Sequence, residues 1–233
     1  GYYVQDLVGI SPKFKVLAGL RWTYQKTAVA KALTLASGET KASPARYDRA
    51  FSPKVGLVYQ PLKATSVFVS YSNNFVANTG TDINLNTLDP SIINQYELGL
   101  KNDFLKGRLS VNLSAYRILN NKSYQTASVD ASGKENSNSS LKENAGETTS
   151  DGAEIDINGT IIPGMSFIAG YSFNYIRYTE TTKQKYSYVT NERLVGSAAH
   201  TANASLFYTV GSGKFRGLKL GATANYLGHG NAG

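Results

Sequence analysis

The chain has 233 residues, 41% of them hydrophobic, no cysteine and a formal net charge of +8. Disulfides and thiolate metal sites are therefore excluded, and no run approaches the ~18 apolar residues of a membrane helix. Lys and Arg are scattered over the whole length with no cluster of five or six, so a basic groove with stacking aromatics for nucleic acid is not expected.

Taken in order, the chain opens at Gly1–Asp6 without the basic-then-apolar pattern of a signal peptide. It starts in mid-strand, which reads as a fragment. Strands are expected over 2–10 and 13–25 around the turn Ser11-Pro12-Lys13, where Val16, Ala18, Leu20, Trp22 and Tyr24 oppose Lys15, Gly19, Arg21 and Thr23. A long polar loop occupies 26–48. Strands 49–60 and 65–75 flank the turn Pro61–Thr65, with Val67, Val69 and Tyr71 opposite Ser66, Phe68, Ser70 and Ser72. After a loop over 75–93 come strands 94–105 and 108–124 about Lys106-Gly107. There Leu109, Val111, Leu113 and Ala115 share one face and Ser110, Asn112, Ser114 and Tyr116 the other. A loop at 125–149 follows, with a low-complexity stretch over 130–150 that reads as a mobile segment. Strands 148–161 and 164–178 surround Pro163-Gly164. A fourth loop over 179–197 precedes strands 198–210 and 216–228, which are joined through Gly211–Gly217.

Short turns thus alternate with long loops, so every strand crosses a sheet and returns, with compact hairpins at one end only. Many strands run ten residues or more, whereas soluble strands average five or six and a tilted strand needs ~9–11 to cross a bilayer. Aromatics gather near strand ends: Tyr2, Tyr3, Trp22, Tyr24, Tyr59, Tyr71, Tyr96, Phe104, Tyr175, Tyr178 and Tyr226. Two interfacial girdles would place them there. Cross-strand aromatic pairs in a soluble sheet would do the same, and mid-strand Lys, Arg, Glu and Asp suit either bulk water or a wet lumen. The sorted loops favour an all-β, antiparallel transmembrane β-barrel segment.

Catalytic chemistry is hard to find. His200 and His229 stand alone, and no nucleophile elbow, Walker loop or dinucleotide fingerprint occurs. Glu154 and Asp156 share a strand face, but paired carboxylates there serve more simply as charged lining. No enzyme, resident cofactor or metal site is expected.

Several segments together resemble TonB-dependent siderophore receptors: Tyr3-Val4-Gln5-Asp6 followed by Lys15–Arg21, Phe51–Pro61, Ser66–Ser72, Tyr96–Lys101, Asp151–Asp156, His200–Leu206 and Gly217–Gly221, in that order. The resemblance implies a 22-stranded outer-membrane barrel, of which 1–233 supplies about ten strands. It also implies a plug domain and a terminal strand that this chain does not include. Such receptors bind ferric siderophores, the transported cargo, through loops and plug. They are energised by the inner-membrane TonB–ExbB–ExbD complex, which the resemblance implies as a partner alongside outer-membrane lipid. Ten strands alone would leave two unpaired edges in lipid.

The matching motifs belong to walls and turns, so no functional residue carries over by position. Ligand contacts are expected in 75–93 and 179–197, with Phe75, Asn78, Tyr186, Tyr188 and Arg193 as candidates. Lys183, Lys185 and Arg193 would suit an anionic ferric complex. Haem, cobalamin or a glycan as cargo, a passive porin, and a soluble β-rich adhesin or carbohydrate-binding module remain open alternatives.

Overall fold

The computed structural model describes residues 1–27, 31–34, 39–42, 45–181 and 190–230. Ten strands in this region form one antiparallel sheet. They are β1 (Tyr2–Gly9), β2 (Phe14–Thr27), β5 (Arg46–Leu62), β6 (Thr65–Val76), β7 (Ser91–Phe104), β8 (Leu109–Thr126), β9 (Lys142–Ile162), β10 (Met165–Thr181), β11 (His200–Thr209) and β12 (Lys219–Leu227). Each pairs with the next in that order, and β1 and β12 form the two edges. A separate hairpin of β3 (Lys31–Thr34) and β4 (Glu39–Ala42) lies within the first long loop, where the sequence suggested no strand.

All ten expected strands are present, and the turns and loops alternate as read. At the turn rim Leu105, Lys106 and Gly107 take positive φ in succession, which closes the β7–β8 connection. Gly164 has φ +84°, and a Cβ there would stand 2.6 Å from the Thr209 carbonyl, so this hairpin requires glycine.

The two faces are distributed inside out relative to a soluble protein. In β5, Phe51 (65% exposed) and Leu57 (52%) face solvent space, while Ser52 on the opposite face is 8% exposed. Register extends the apolar face across the sheet: Leu57, Val69, Leu98, Ala115, Ala153 and Phe173 follow one another over six strands. The opposite face carries Arg21, Lys54, Ser70, Glu97, Asn112, Asp156, Asn203 and Asn225. Asp6 is an exception, lying on the apolar face of edge strand β1 with its carboxylate accepting the Leu7 amide at 2.8 Å.

Aromatics bound the apolar band. Near the long-loop end, Tyr2 stacks on Trp22 (centroids 5.9 Å apart), Trp22 on Tyr24 (6.2 Å), and Tyr71 lies against Tyr96 (5.2 Å). Near the turn end, Phe14 stacks on Tyr59 at 4.6 Å. Phe14 and Trp22 are eight positions apart on β2, about 27 Å along the strand, which tilting shortens toward the height of a membrane apolar band. Two expected girdle members stand elsewhere. Tyr3 alternates onto the polar face, where its hydroxyl meets the Gln5 side chain. Tyr178 is buried at 3% exposure beyond the band.

Strands β8 and β9 run 18 and 21 residues, about twice what a crossing needs. Their apolar alternation is confined to the turn half. The other half, 117–126 paired with 142–151, is polar and extends beyond the long-loop end of the band. Residues 142–150 are therefore strand, not the mobile loop that their composition suggested. Here β9 is paired on both sides, and small or β-branched residues pack between its neighbours: Ala145 is fully buried, and Thr148, Thr149 and Ser150 nearly so. Register shifts in β8–β9 and β9–β10 meet at Gly146, whose φ of +117° lets the Glu180 backbone pass where a Cβ would stand.

A large apolar face turned outward makes a defined prediction. In the full-length protein folded into lipid vesicles, Leu113→Arg should cost about 2–4 kcal/mol in urea unfolding. Ser114→Asn, on the opposite face, should change stability by about 0.5 kcal/mol or less.

Candidate functional site

The loops joining β6 to β7 and β8 to β9 meet beyond the long-loop end of the band and border a half-open cavity of about 650 Å³. Each loop is shaped by its own sequence. Asp82 opens a tight turn whose amides it caps: Asn84 N (2.9 Å) and Asn86 N (2.7 Å) donate to its carboxylate, and Asn86 Nδ2 adds a third bond. Asp130 does the same in the second loop, accepting from Ser132 N, Ser132 Oγ and Lys134 N, with Gly133 at φ +78° completing the turn. The loops are joined by the Lys142 amide, which donates to the Thr81 carbonyl at 2.8 Å.

Asp89 ties the first loop to the strands. Its carboxylate receives Arg46 Nη1 at 2.6 Å and the Lys122 ammonium, and Arg46 also donates to Asp48 at 2.7 Å. The hydrogen bond from Lys122, followed by that from Arg46, holds the Asp89 carboxyl below its ordinary range. Asn78 locks the same corner. Its Nδ2 donates to the Asp89 carbonyl (2.7 Å) and Ser91 Oγ (2.8 Å), and Ser91 Oγ donates to the Lys122 carbonyl at 2.7 Å.

Asp82, Asp89 and Glu143 bring three carboxylates to the cavity, with Lys142, Tyr124 and several asparagines. Each acid is already engaged. Glu143, nearly buried, accepts Gln125 Nε2 at 2.7 Å and Ser128 Oγ at 3.3 Å. Burial pushes the Tyr124 phenol up, so it stays protonated at neutral pH and keeps a hydrogen to donate. The lining thus offers amide, hydroxyl and ammonium groups beside the apolar Ile83, Leu88 and Val129.

Three of the five residues singled out from sequence lie in the described part of the chain. Asn78 supports the cavity from behind without lining it. Phe75 pairs with Ile92 in the β6–β7 ladder, outside the lining. Arg193 stands beside β10, 5.7 Å from the Tyr175 ring centroid, and donates to the Ser197 carbonyl at 3.2 Å. Tyr186, Tyr188, Lys183 and Lys185 lie outside the described residues. The lining residues from Asp82 to Asp89 fall within the 75–93 loop where contacts were expected, although none of them was named individually, and those contributed by β8, β9 and the loop between them escaped the sequence reading. The available signal was Asp82-x-Asn84-x-Asn86, the spacing of a carboxylate-capped turn.

The entire chain, residues 1–233, matches the family described as TonB dependent receptor-like, beta-barrel. It is 30% identical over 226 residues to the metal-pseudopaline receptor CntO of Pseudomonas aeruginosa PAO1, covering 97% of this chain and 30% of that protein. The ferrioxamine B receptor of Salmonella typhimurium is 27% identical over 230 residues, with the same two coverages. Among solved structures, the siderophore receptor PiuA from Acinetobacter baumannii superposes with a TM-score of 0.73 at 21% identity, over 97% of this chain and 32% of that one. The chain therefore spans under a third of the length of these relatives.

The Asp89 latch carries a pH signature. Its folded-state pKa is depressed, so its contribution to loop order is present above the ordinary carboxylate value of 3.8 and is lost as pH falls through the lower folded value. Asp89→Asn should reproduce that loss at neutral pH. Amide exchange over residues 77–90, followed by mass spectrometry, should accelerate about two- to five-fold, the range of a part-exposed ion pair.

Proposed function

The chain belongs to the TonB-dependent receptor family as part of its barrel, and on that premise we propose that the full-length protein imports ferric siderophores across the bacterial outer membrane. The observation that carries this reading is a built cavity held beyond one end of a lipid-facing sheet by strands that continue past the apolar band. Relatives named for ferrioxamine B and metal-pseudopaline support the cargo class. In this reading the long loops are extracellular, the short turns periplasmic, and the polar face lines a lumen closed by a plug. The TonB–ExbB–ExbD complex supplies energy through that plug, and the protein binds and gates without covalent catalysis.

The cavity is the proposed first contact for cargo. Its engaged acids leave little free negative charge, so recognition proceeds by hydrogen bonds from Tyr124, Lys142 and the asparagines to an amide- and hydroxyl-rich ligand. Asn78 acts there as a clamp on the loop. The similarity to a metal-pseudopaline receptor favours a second cargo reading, in which the imported complex is a metal chelate whose metal is not restricted to iron.

Uptake of radiolabelled siderophore complexes by cells expressing the full-length gene, with and without TonB, tests the proposal. Accumulation should require both the gene and TonB, and the joint substitution Tyr124→Ala and Lys142→Ala should weaken binding by about tenfold or more. TonB-independent leakage would make the protein a passive pore. Uptake of haem, cobalamin or a glycan in place of siderophores would reassign the cargo.

A further inference from the structure

Between β5 and β6 the ladder stops short of the strand ends. Its pairs run from Leu62–Thr65 to Lys54–Ser72. From there toward the long loops, β5 goes on pairing with β2 and β6 with β7. The parting falls at Pro53, which brings no amide hydrogen to a ladder. On the polar face a half-open cavity of about 530 Å³ sits at this parting, and Gln5, Arg21, Ser52, Lys54 and Ser72 contribute to its lining. It is distinct from the loop cavity: Ser52 lies six positions along β5 from Arg46, roughly 20 Å.

Register sets the chemistry of the lining. Tyr3, Arg21 and Ser52 stand in one row across β1, β2 and β5, and Gln5, Gly19, Lys54 and Ser72 stand in another, two positions along. Arg21 and Lys54 are thus diagonal neighbours on adjacent strands, about 7–8 Å apart, within reach of two long side chains. The Gln5 side chain lies over Gly19, and its amide oxygen accepts the Tyr3 hydroxyl, which leaves the amide hydrogens for a ligand. Among the described residues neither cation has an acidic partner. Asp48 on this face is held by Arg46. Glu97 and Asp103 stand two strands away on β7, and Glu154 and Asp156 four away on β9. Ser52 is 8% exposed, and its hydroxyl has no hydrogen-bond partner among the described residues. A buried hydroxyl left unmatched is costly, and two like charges at this spacing repel. A single anion relieves both conditions.

We propose that Arg21, Lys54 and Ser52 form a station on the lumen wall for a free carboxylate of the imported chelate, which makes the cargo a carboxylate-bearing complex. A guanidinium pairs with both oxygens of a carboxylate at once. Lys54 adds a point charge, and Ser52 donates its hydroxyl hydrogen. The loop cavity, whose acids are engaged, reads neutral amide and hydroxyl groups, so the two sites recognise different parts of one ligand.

The station rests on the receptor reading, and the measurements separate the two. Full-length receptor in detergent is dialysed to equilibrium against radiolabelled ferric hydroxamate and catecholate chelates. Each is prepared with a free terminal carboxylate and with the matching primary amide. The acid form should bind about tenfold tighter or more, with a preference that shrinks as salt is added. The joint substitution Arg21→Gln and Lys54→Gln should bring the acid form to the affinity of the amide and leave the amide form unchanged, which also reports intact folding. Ser52→Ala should narrow the preference about threefold. Tyr124→Ala, in the loop cavity, should weaken both forms alike. Equal affinity of acid and amide forms in the unsubstituted receptor, or a preference that survives the double variant, would overturn the proposal. A double variant that keeps the preference but loses heat-modifiable gel mobility would assign the two cations to a carboxylate of the full-length protein itself, and would equally overturn it. If TonB-dependent uptake of both forms persists without the preference, the station alone fails. If no ferric chelate is bound or taken up, the receptor reading fails and the station with it.

Discussion

Backbone hydrogen bonding in a medium without water is the constraint from which the rest of this structure follows. Inside lipid, each unpaired N–H or C=O costs several kcal/mol, so every crossing segment must find its partners in neighbouring strands. The chain meets this by pairing each strand of the sheet with the next along the sequence. Nearest-neighbour pairing allows turns as short as Pro163-Gly164. It also forces strands to be at least as long as the bilayer is thick. Within the ten-stranded sheet of the described residues, the edge strands β1 and β12 each leave one side unpaired, a condition that lipid would not tolerate in isolation.

With the backbone satisfied internally, side chains are free to sort by solvent. Large apolar residues such as Phe51 and Leu98 turn outward, while small or polar ones such as Ser52 and Gly99 take the more enclosed side. On that enclosed side, aromatic rings cover glycines: Phe68 lies over Gly99, Tyr116 over Gly152 and Phe207 over Gly221. Ring-on-glycine packing shields the strand backbone where no side chain would fit. The side chains with least exposure, including Ala145, Ala127, Leu88 and Tyr178, lie beyond the apolar band. The packed part of this chain is therefore the part held in water, and there it builds the loop cavity. Membrane thickness sets the wall, and strand length in excess of that thickness positions the site.

Much of the wall was legible in the sequence because alternation is local. Leu109, Val111, Leu113 and Ala115 declare a face without any knowledge of the neighbouring strand. The site was largely illegible because its contacts cross strands and loops. Arg46 meets Asp89 from 43 positions away, and Lys122 meets it from 33. Residues 142–150 misled for a related reason. Their polar composition matches a loop, and only pairing by β8 and β10 together makes them strand. Asn78 was singled out as a ligand contact and is found as the clamp behind the cavity, since its amide is already committed to Asp89 and Ser91.

The central claim is that one face of this sheet meets lipid and the other an aqueous lumen, and accessibility measured along a single strand tests it most directly. Single cysteines carrying spin labels are introduced one at a time at 109–116, in a cysteine-free background of the full-length protein reconstituted in bilayers; the 233 residues of this chain contribute no cysteine of their own. The account predicts a period of two. Positions 109, 111, 113 and 115 should relax with oxygen dissolved in lipid, and 110, 112, 114 and 116 with a water-soluble nickel chelate or not at all. Equal water accessibility on both faces would contradict it and make the sheet part of a soluble protein.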